Sequence, residues 1–219
     1  MPTHNSTSLA ILNVAIPLFA ERPFDAVSTR KIANMAGVNL SAISYHFGSK
    51  EGLYKAIFVK IVDDLAPVRN GFRALIDSHI DQLPGNPESQ YLFFEAFVAL
   101  MLEIILSKRT PMWEMQLILR EMQSHGPNFD LVMQEHVDKM QNLMCECVAV
   151  ILKQDVESSE VILTSHSVIT LCLQYGMNQE LVKSRLKVSS IDRQQIELIK
   201  SVTTSHITGL LRVPYSTDK

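Results

Sequence analysis

Residues 28–47 read Ser28-Thr29-Arg30-Lys31-Ile32-Ala33-Asn34-Met35-Ala36-Gly37-Val38-Asn39-Leu40-Ser41-Ala42-Ile43-Ser44-Tyr45-His46-Phe47, a pattern of two short helices joined by a tight turn. Ser28 fits an N-cap, its hydroxyl accepting a bond from an orphan backbone N–H. Ile32, Met35 and Ala36 fall on one apolar face. Gly37 stands where a helix end takes a left-handed residue without a Cβ. Asn39 fits the cap of a second helix over about Leu40–Phe47, with Leu40, Ile43 and Phe47 inward and Ser41, Ala42, Ser44, Tyr45 and His46 outward. So short a helix is not stable alone. Its apolar face must dock on a neighbour while its polar face reads something, which is the arrangement of a helix-turn-helix whose second helix enters the DNA major groove.

The flanks agree. Ser49 can cap a further helix that opens with Lys50. A cation in a first turn opposes the helix dipole, and an external phosphate would compensate it. Upstream, Leu9, Leu12, Ile16 and Phe19 form an apolar stripe at helical spacing that ends at Ala20-Glu21-Arg22-Pro23-Phe24.

Residues 8–62 resemble the DNA-binding domain of the TetR family of transcriptional regulators. The matching pieces are Leu18-Phe19-Ala20-Glu21-Arg22, Ser28-Thr29-Arg30-Lys31-Ile32-Ala33, Ala36-Gly37-Val38, and Tyr45-His46-Phe47-Gly48-Ser49-Lys50-Glu51-Gly52-Leu53-Tyr54. The remainder resembles the C-terminal domain of the CerR/CecR-like subgroup around Leu119-Arg120-Glu121-Met122 and Pro127-Asn128-Phe129-Asp130. Two residues depart from the pattern. Pro17 lies inside the first helix, where it removes a backbone bond and should kink it. Pro23 stands where the family usually has Gly, and fixes φ near about −65°.

Composition is consistent with this. The net charge is −3, yet residues 1–60 hold six Lys/Arg against three Asp/Glu, so this head carries +3 and the remainder −6. A basic head on an acidic body suits a protein that presents one end to DNA. The N-terminus lacks the pattern of a signal peptide. The most apolar stretch, Phe93 to Leu106, reads as too short to span a bilayer. Three cysteines, Cys145, Cys147 and Cys172, suit a reduced, cytoplasmic setting. Cys145 and Cys147 project about 200° apart on a helix, poor metal geometry, so no metal site and no cofactor is expected. No Gly-rich phosphate loop, nucleophile elbow or framed acidic pair points to an enzyme.

The periodicity is helical nearly throughout, and the expected fold is all-α. The division is a DNA-binding domain at 1–49, a connecting helix at 50–66, an effector-binding and dimerisation domain at 67–212, and a fraying tail at 213–219. Helices are expected near Arg69–Leu83, Pro87–Leu106, Pro111–Met122, Phe129–Lys153, Ser158–Tyr175 and Ile191–Leu211, with Pro67 ending or kinking the connecting helix. The resemblance implies that the last two, about 158–175 and 191–211, pair with their copies in a four-helix homodimer interface. Twofold reading of a palindrome also argues for a dimer. The alternative is that both are internal core.

Candidate DNA-binding residues are Ser28, Thr29, Arg30, Asn39, Ser41, Ala42, Ser44, Tyr45, His46 and Lys50. Tyr45 suits phosphate, and His46 phosphate or a base edge. The alternative for both is a partly buried ring packed on helix one. Lys50 suits a phosphate anchor. Thr29 and Arg30 can reach the backbone or groove edge, although a solvated Arg is common. Ser41, Ala42 and Ser44 are small enough to touch base edges. The resemblance further implies a small-molecule cavity, with candidate lining residues Phe94, Phe97, Met101, Trp113, Leu117, Arg120, Phe129, Met133, His136, Met140 and Tyr175. Met-rich linings suit apolar or amphipathic effectors, but the same residues are equally read as plain core, and Arg120 as a surface partner of Glu121 or Glu135. The implied function is a repressor released from a palindromic operator by an effector. The alternative is a constitutive DNA-bound scaffold that recruits a protein partner.

Overall fold

The computed structural model describes residues 3–106 and 112–212, and every regular element among them is helical. The order is α1 (Thr3–Glu21), a 3-10 turn (Phe24–Ala26), α2 (Thr29–Ala36), α3 (Leu40–Phe47), α4 (Lys50–Asp64), α5 (Ala66–His79), a 3-10 turn (Ile80–Gln82), α6 (Pro87–Leu106) and α7 (Met112–Ser124). Then come α8 (Phe129–Val132), a π-helical turn (Met133–Val137), α9 (Asp138–Leu152), α10 (Ser159–Met177), α11 (Gln179–Leu186) and α12 (Arg193–Leu210). Pro111 and the tail 213–219 lie outside the described residues.

The chain forms two compact units, Met1–Ala66 with Pro111–His136, and Pro67–Thr110 with Val137–Lys219. Chain order assigns 111–136 to the second domain; packing groups it with the first. In the first unit α1 buries Ile11, Ala15 and Phe19 at i, i+4 and i+8, and α4 buries Leu53, Ile57 and Ile61 at the same spacing. α1 continues through Pro17 to Glu21. Pro23 sits at φ −57° and ψ 150°, values its ring permits, and its carbonyl accepts from the Ala26 N–H at 3.0 Å. α4 stops at Asp64, and Pro67 falls in the first turn of α5, where its missing N–H costs nothing.

In the second unit α6 is the central helix, packed on α10 and α12. Phe93, Phe94, Phe97, Val98 and Leu102 are fully buried. At 20 residues α6 is long and apolar enough to cross a bilayer by length and composition, because the helix starts at Pro87, before the most apolar stretch. Its buried residues belong to the core cluster of this unit. Gly176 of α10 is a close approach: a Cβ there would lie 2.4 Å from Ile105 Cγ2 of α6. Arg73 of α5 and Glu146 of α9 form a two-pronged pair, both bonds 2.8 Å.

Three local features differ from the periodicity. The helix expected over Phe129–Lys153 is interrupted by the π-helical turn Met133–Val137. The helix expected to run to Leu83 gives way to a 3-10 turn after His79. α11 occupies a stretch with no helix expected, because it buries no residue and so has no apolar stripe to reveal it.

The faces of α10 and α12 divide cleanly. Val161, Val168, Ile169, Ile199, Ile207 and Leu211 are core, whereas Ile162, Leu163, Leu198, Val202 and Leu210 are exposed.

All three cysteines are buried and free. Burial pushes the Cys147 and Cys172 thiols up to about 12, so the nucleophilic thiolate is scarce at neutral pH. Neither is expected to react with a disulfide reagent such as DTNB in the native protein near pH 7, both reacting once the chain is unfolded in denaturant. Rapid native-state labelling of either, located by peptide mapping, would contradict this burial.

Candidate nucleic-acid interface

The turn between α2 and α3 has the geometry that the glycine demands. Gly37 adopts φ 67° and ψ 30°. The Val38 N–H donates to the Ala33 carbonyl at 3.0 Å and the Gly37 N–H to the Asn34 carbonyl at 3.2 Å, the paired bonds of a Schellman motif. Ser28 and Asn39 occupy the two N-cap positions with extended backbones, but neither side chain caps its helix. Capping there is by backbone: the Ile32 N–H donates to the Ser28 carbonyl and the Ala42 N–H to the Asn39 carbonyl. The expected Ser28 hydroxyl bond is not made, and both polar tips are exposed.

α3 is anchored chiefly through Ile43, which is 2% exposed. Phe47 and His46 are half-buried, Ser41 and Ser44 exposed, and Ala42 half-buried. Tyr45 is 72% exposed, with its ring edge-on to His46 at 5.2 Å. Leu40 and Met35, which helical spacing assigns to inner faces, are exposed. Each stands within a residue or two of the α2–α3 turn, where the path of the turn rather than the helical period decides which way a side chain faces. Leu40 therefore joins Ser41 and Ser44 at the start of the outward surface. Thr29 is half-buried and Arg30 exposed at the head of α2.

The α3–α4 turn is tighter still. Gly48 adopts φ 75°. The Ser49 hydroxyl caps α4 by accepting from the Gly52 N–H at 3.1 Å, and the Ser49 side chain also holds the Glu51 carboxyl below the usual carboxylate range. A Cβ at Gly52 would lie 2.0 Å from the Phe47 carbonyl oxygen, so this position admits only glycine. Lys50 begins α4, with its amine 4.4 Å above the centre of the Phe24 ring, a cation–π seat.

Phe24 belongs to an aromatic cluster. It stacks on Phe19 at 5.8 Å and meets the Tyr54 edge at 5.1 Å. Against this cluster lies α7. Arg120 Nη1 donates to the Phe19 carbonyl (2.5 Å) and the Arg22 carbonyl (2.9 Å), and Nη2 to the Ala20 carbonyl (2.5 Å). The last turn of α1 has no basic residue of its own. A cation supplied there complements the helix dipole by about 0.3–1 kcal/mol at a site open to solvent. Glu121 is buried. Its carboxylate accepts from the Tyr54 hydroxyl at 3.3 Å and from the Asn128 N–H. Burial, and next the neighbouring Glu121 charge, push the Tyr54 phenol up to about 12, keeping it a donor. A Cβ at Gly126 would lie 2.6 Å from this carboxylate.

The description "Bacterial regulatory proteins, tetR family" matches residues 11–57. The C-terminal domain of the HTH-type transcriptional dual regulator CecR matches residues 92–212, more than half of the chain. The chain belongs to the TetR family. It is a DNA-binding transcriptional regulator, not an enzyme. CecR of Shigella flexneri is 27% identical over 214 residues, covering 92% of this chain and 90% of that protein. The repressor KstR2 of Rhodococcus jostii is 35% identical over 71 residues, 32% of this chain and 33% of that one. A TetR-family regulator structure from Mesorhizobium loti shares the fold, with a TM-score of 0.60 at 13% identity, covering 97% of this chain and 98% of that one.

The cavity candidates of this TetR-family chain do not all share one unit. Phe94, Phe97, Met101 and Met140 lie in the core cluster of the second unit, with Tyr175 packed against it. Trp113, Leu117, Arg120, Phe129, Met133 and His136 belong to the first unit. There Leu117 is fully buried, Trp113 exposed, and Phe129 stacked on His125 at 4.0 Å. The Arg120 guanidinium is taken up by the backbone carbonyls of Phe19, Ala20 and Arg22. Sequence reasoning missed this because the partners are about 100 residues away and are backbone atoms, which carry no sequence signal.

Replacing Gly52 by Ala is expected to destabilise the protein by about 2 kcal/mol, since the displaced atom is backbone, and to lower the melting temperature by roughly 4–8 °C. Thermal unfolding followed by circular dichroism measures it; an unchanged midpoint would refute the close approach.

Proposed function

We propose that this regulator acts as a homodimeric repressor on the bacterial nucleoid, in the cytoplasm, gripping a palindromic operator with α3 of each copy and leaving it when a small apolar or amphipathic effector enters the C-terminal domain. The observation that carries the DNA-binding surface is the outward face of α3. Ser41, Ser44 and Tyr45 are exposed, as are Ser28 and Asn39, whose side chains do not cap their own helices, and Lys50 at the start of α4 is seated on Phe24. Ser41, Ala42 and Ser44 read base edges; Tyr45, His46, Lys50, Thr29 and Arg30 take phosphates or the groove edge.

The exposed Leu163, Leu198, Val202 and Leu210 on α10 and α12 support the homodimer, since monomers rarely leave such apolar faces open. In the second unit, Met101, Met140, Phe94 and Phe97 lie in the apolar core, and their adaptable methionines suit an apolar effector. Among the described residues, the buried hydroxyls of Ser165, Thr203 and Thr204 in the same unit have no hydrogen-bond partner and suit the polar end of an amphipathic effector. The effector must prefer the released form by about 1.4 kcal/mol for each tenfold loss of operator affinity. CecR is named a dual regulator; the sign of regulation here follows from where the operator lies relative to its promoter.

A binding selection from genomic fragments with the purified protein is expected to recover a palindrome, and recovery of no motif would overturn specific reading. On mixed-sequence DNA, Tyr45→Ala and Lys50→Ala each weaken binding. Loss of the Lys50 charge flattens the dependence of log affinity on log salt by about one unit, and an unchanged slope removes Lys50 from the interface.

Paired substitution of Leu198 and Val202 by Glu is expected to convert the dimer to a monomer in light scattering. A variant that stays dimeric would move the interface elsewhere.

A further inference from the structure

We infer that Arg120 and Glu121 of α7 are positioning residues for DNA binding, acting through Phe24 and Tyr54 to hold Lys50 where it meets a phosphate. The inference rests on the reading of Lys50 as a phosphate anchor. A lysine has a long stem and a large rotamer entropy, so an anchor that is fixed before DNA arrives needs a seat. Here the seat is the Phe24 ring, 4.4 Å from the amine. Phe24 is poorly fixed by its own segment, a single 3-10 turn with no buried residue. Its ring is held by Phe19 on one side and Tyr54 on another.

α7 fastens both of these neighbours. Arg120 binds the Phe19 carbonyl itself and also the Ala20 and Arg22 carbonyls, the stretch of backbone that leads into Pro23 and Phe24. Its guanidinium is a rigid fork with several donors, so one side chain fixes three carbonyls at the end of α1. Glu121 fixes Tyr54 through its hydroxyl, and is itself fixed by the Asn128 N–H and by the close wall at Gly126. The two adjacent residues of α7 therefore act at two points on the seat of a single lysine. All of these groups lie in one compact unit. The DNA-binding helices are thus completed by a segment that the chain supplies only after residue 110.

The test is the affinity of the full chain for a fluorescently labelled mixed-sequence duplex, measured by anisotropy. The variants are Lys50→Ala, Arg120→Gln, Tyr54→Phe and the doubles Lys50→Ala with Arg120→Gln and Lys50→Ala with Tyr54→Phe. Tyr54→Phe cuts the link to Glu121 while keeping the ring and the net charge, so it serves if Arg120→Gln folds poorly. The expected result is that each of Arg120→Gln and Tyr54→Phe weakens binding by about fivefold. With Lys50 already removed, the same change should cost less than about twofold. A general loss of fold or of positive charge would persist without Lys50. Equal losses in both backgrounds, or full affinity in both single variants, would overturn the positioning role alone. Full affinity of Lys50→Ala would overturn the anchor and its positioning together.

Discussion

The Arg120 guanidinium on the carbonyl end of α1 is the contact that ties α7 to the helix-turn-helix segment within the first unit. α1 ends with carbonyls that no intrahelical N–H can satisfy, and no lysine or arginine in its own last turn to help. α7 supplies the missing donors from about 100 residues along the chain. The same helix places Glu121 in the core, where a buried carboxylate must be bonded to be tolerated. The Tyr54 hydroxyl and the Asn128 N–H meet that requirement. Two polar residues side by side thus link α7 to α1, to α4 and to the turn after α7.

The recognition helix is specified differently. Two turns of helix hold little intrinsic stability, and Ile43 is the one residue of α3 that is fully taken into the core. Its orientation comes from its ends. Gly37 supplies the left-handed residue that reverses the chain before it, and Gly48 with Gly52 permits the close passage after it. With the ends fixed by backbone geometry, Ser41, Ser44 and Tyr45 lie on the exposed face of α3. The exposure of Leu40 follows from the same cause.

The second unit is built around α6, whose buried aromatics pack beneath α10 and α12. Those two helices have apolar residues on both faces. One face is consumed by the core; the other leaves Leu163, Leu198 and Val202 exposed.

How much could be read without coordinates follows the range of the forces involved. Most local signals were legible: the longer helices, the Gly37 turn and the Ser49 cap rest on contacts within a few residues, whereas α11 and the missing Ser28 and Asn39 side-chain caps were not foreseen. Of the face of α3 read as outward, Ser41, Ser44 and Tyr45 are exposed while Ala42 and His46 are half-buried; Phe47, read as inward, is half-buried, and Leu40, read as inward, is exposed where the turn overrides the helical period. What the sequence could not carry was any choice between neighbours distant in the chain. Periodicity placed helices over about 158–175 and 191–211 but not which of their apolar residues the core would take. It marked Arg120 as notable but not that backbone carbonyls would claim it. It divided the chain by order at residue 66, whereas the α7 segment crosses that line to complete the first unit. The amino-acid sequence by itself determined an all-helical chain with a helix-turn-helix head, because hydrogen bonding and burial at short range leave little alternative, and its resemblance to the TetR family marked that head as a regulator's. Tertiary structure alone decided which residues brace that head, because a charge seeking a partner in three dimensions leaves no periodic trace in one.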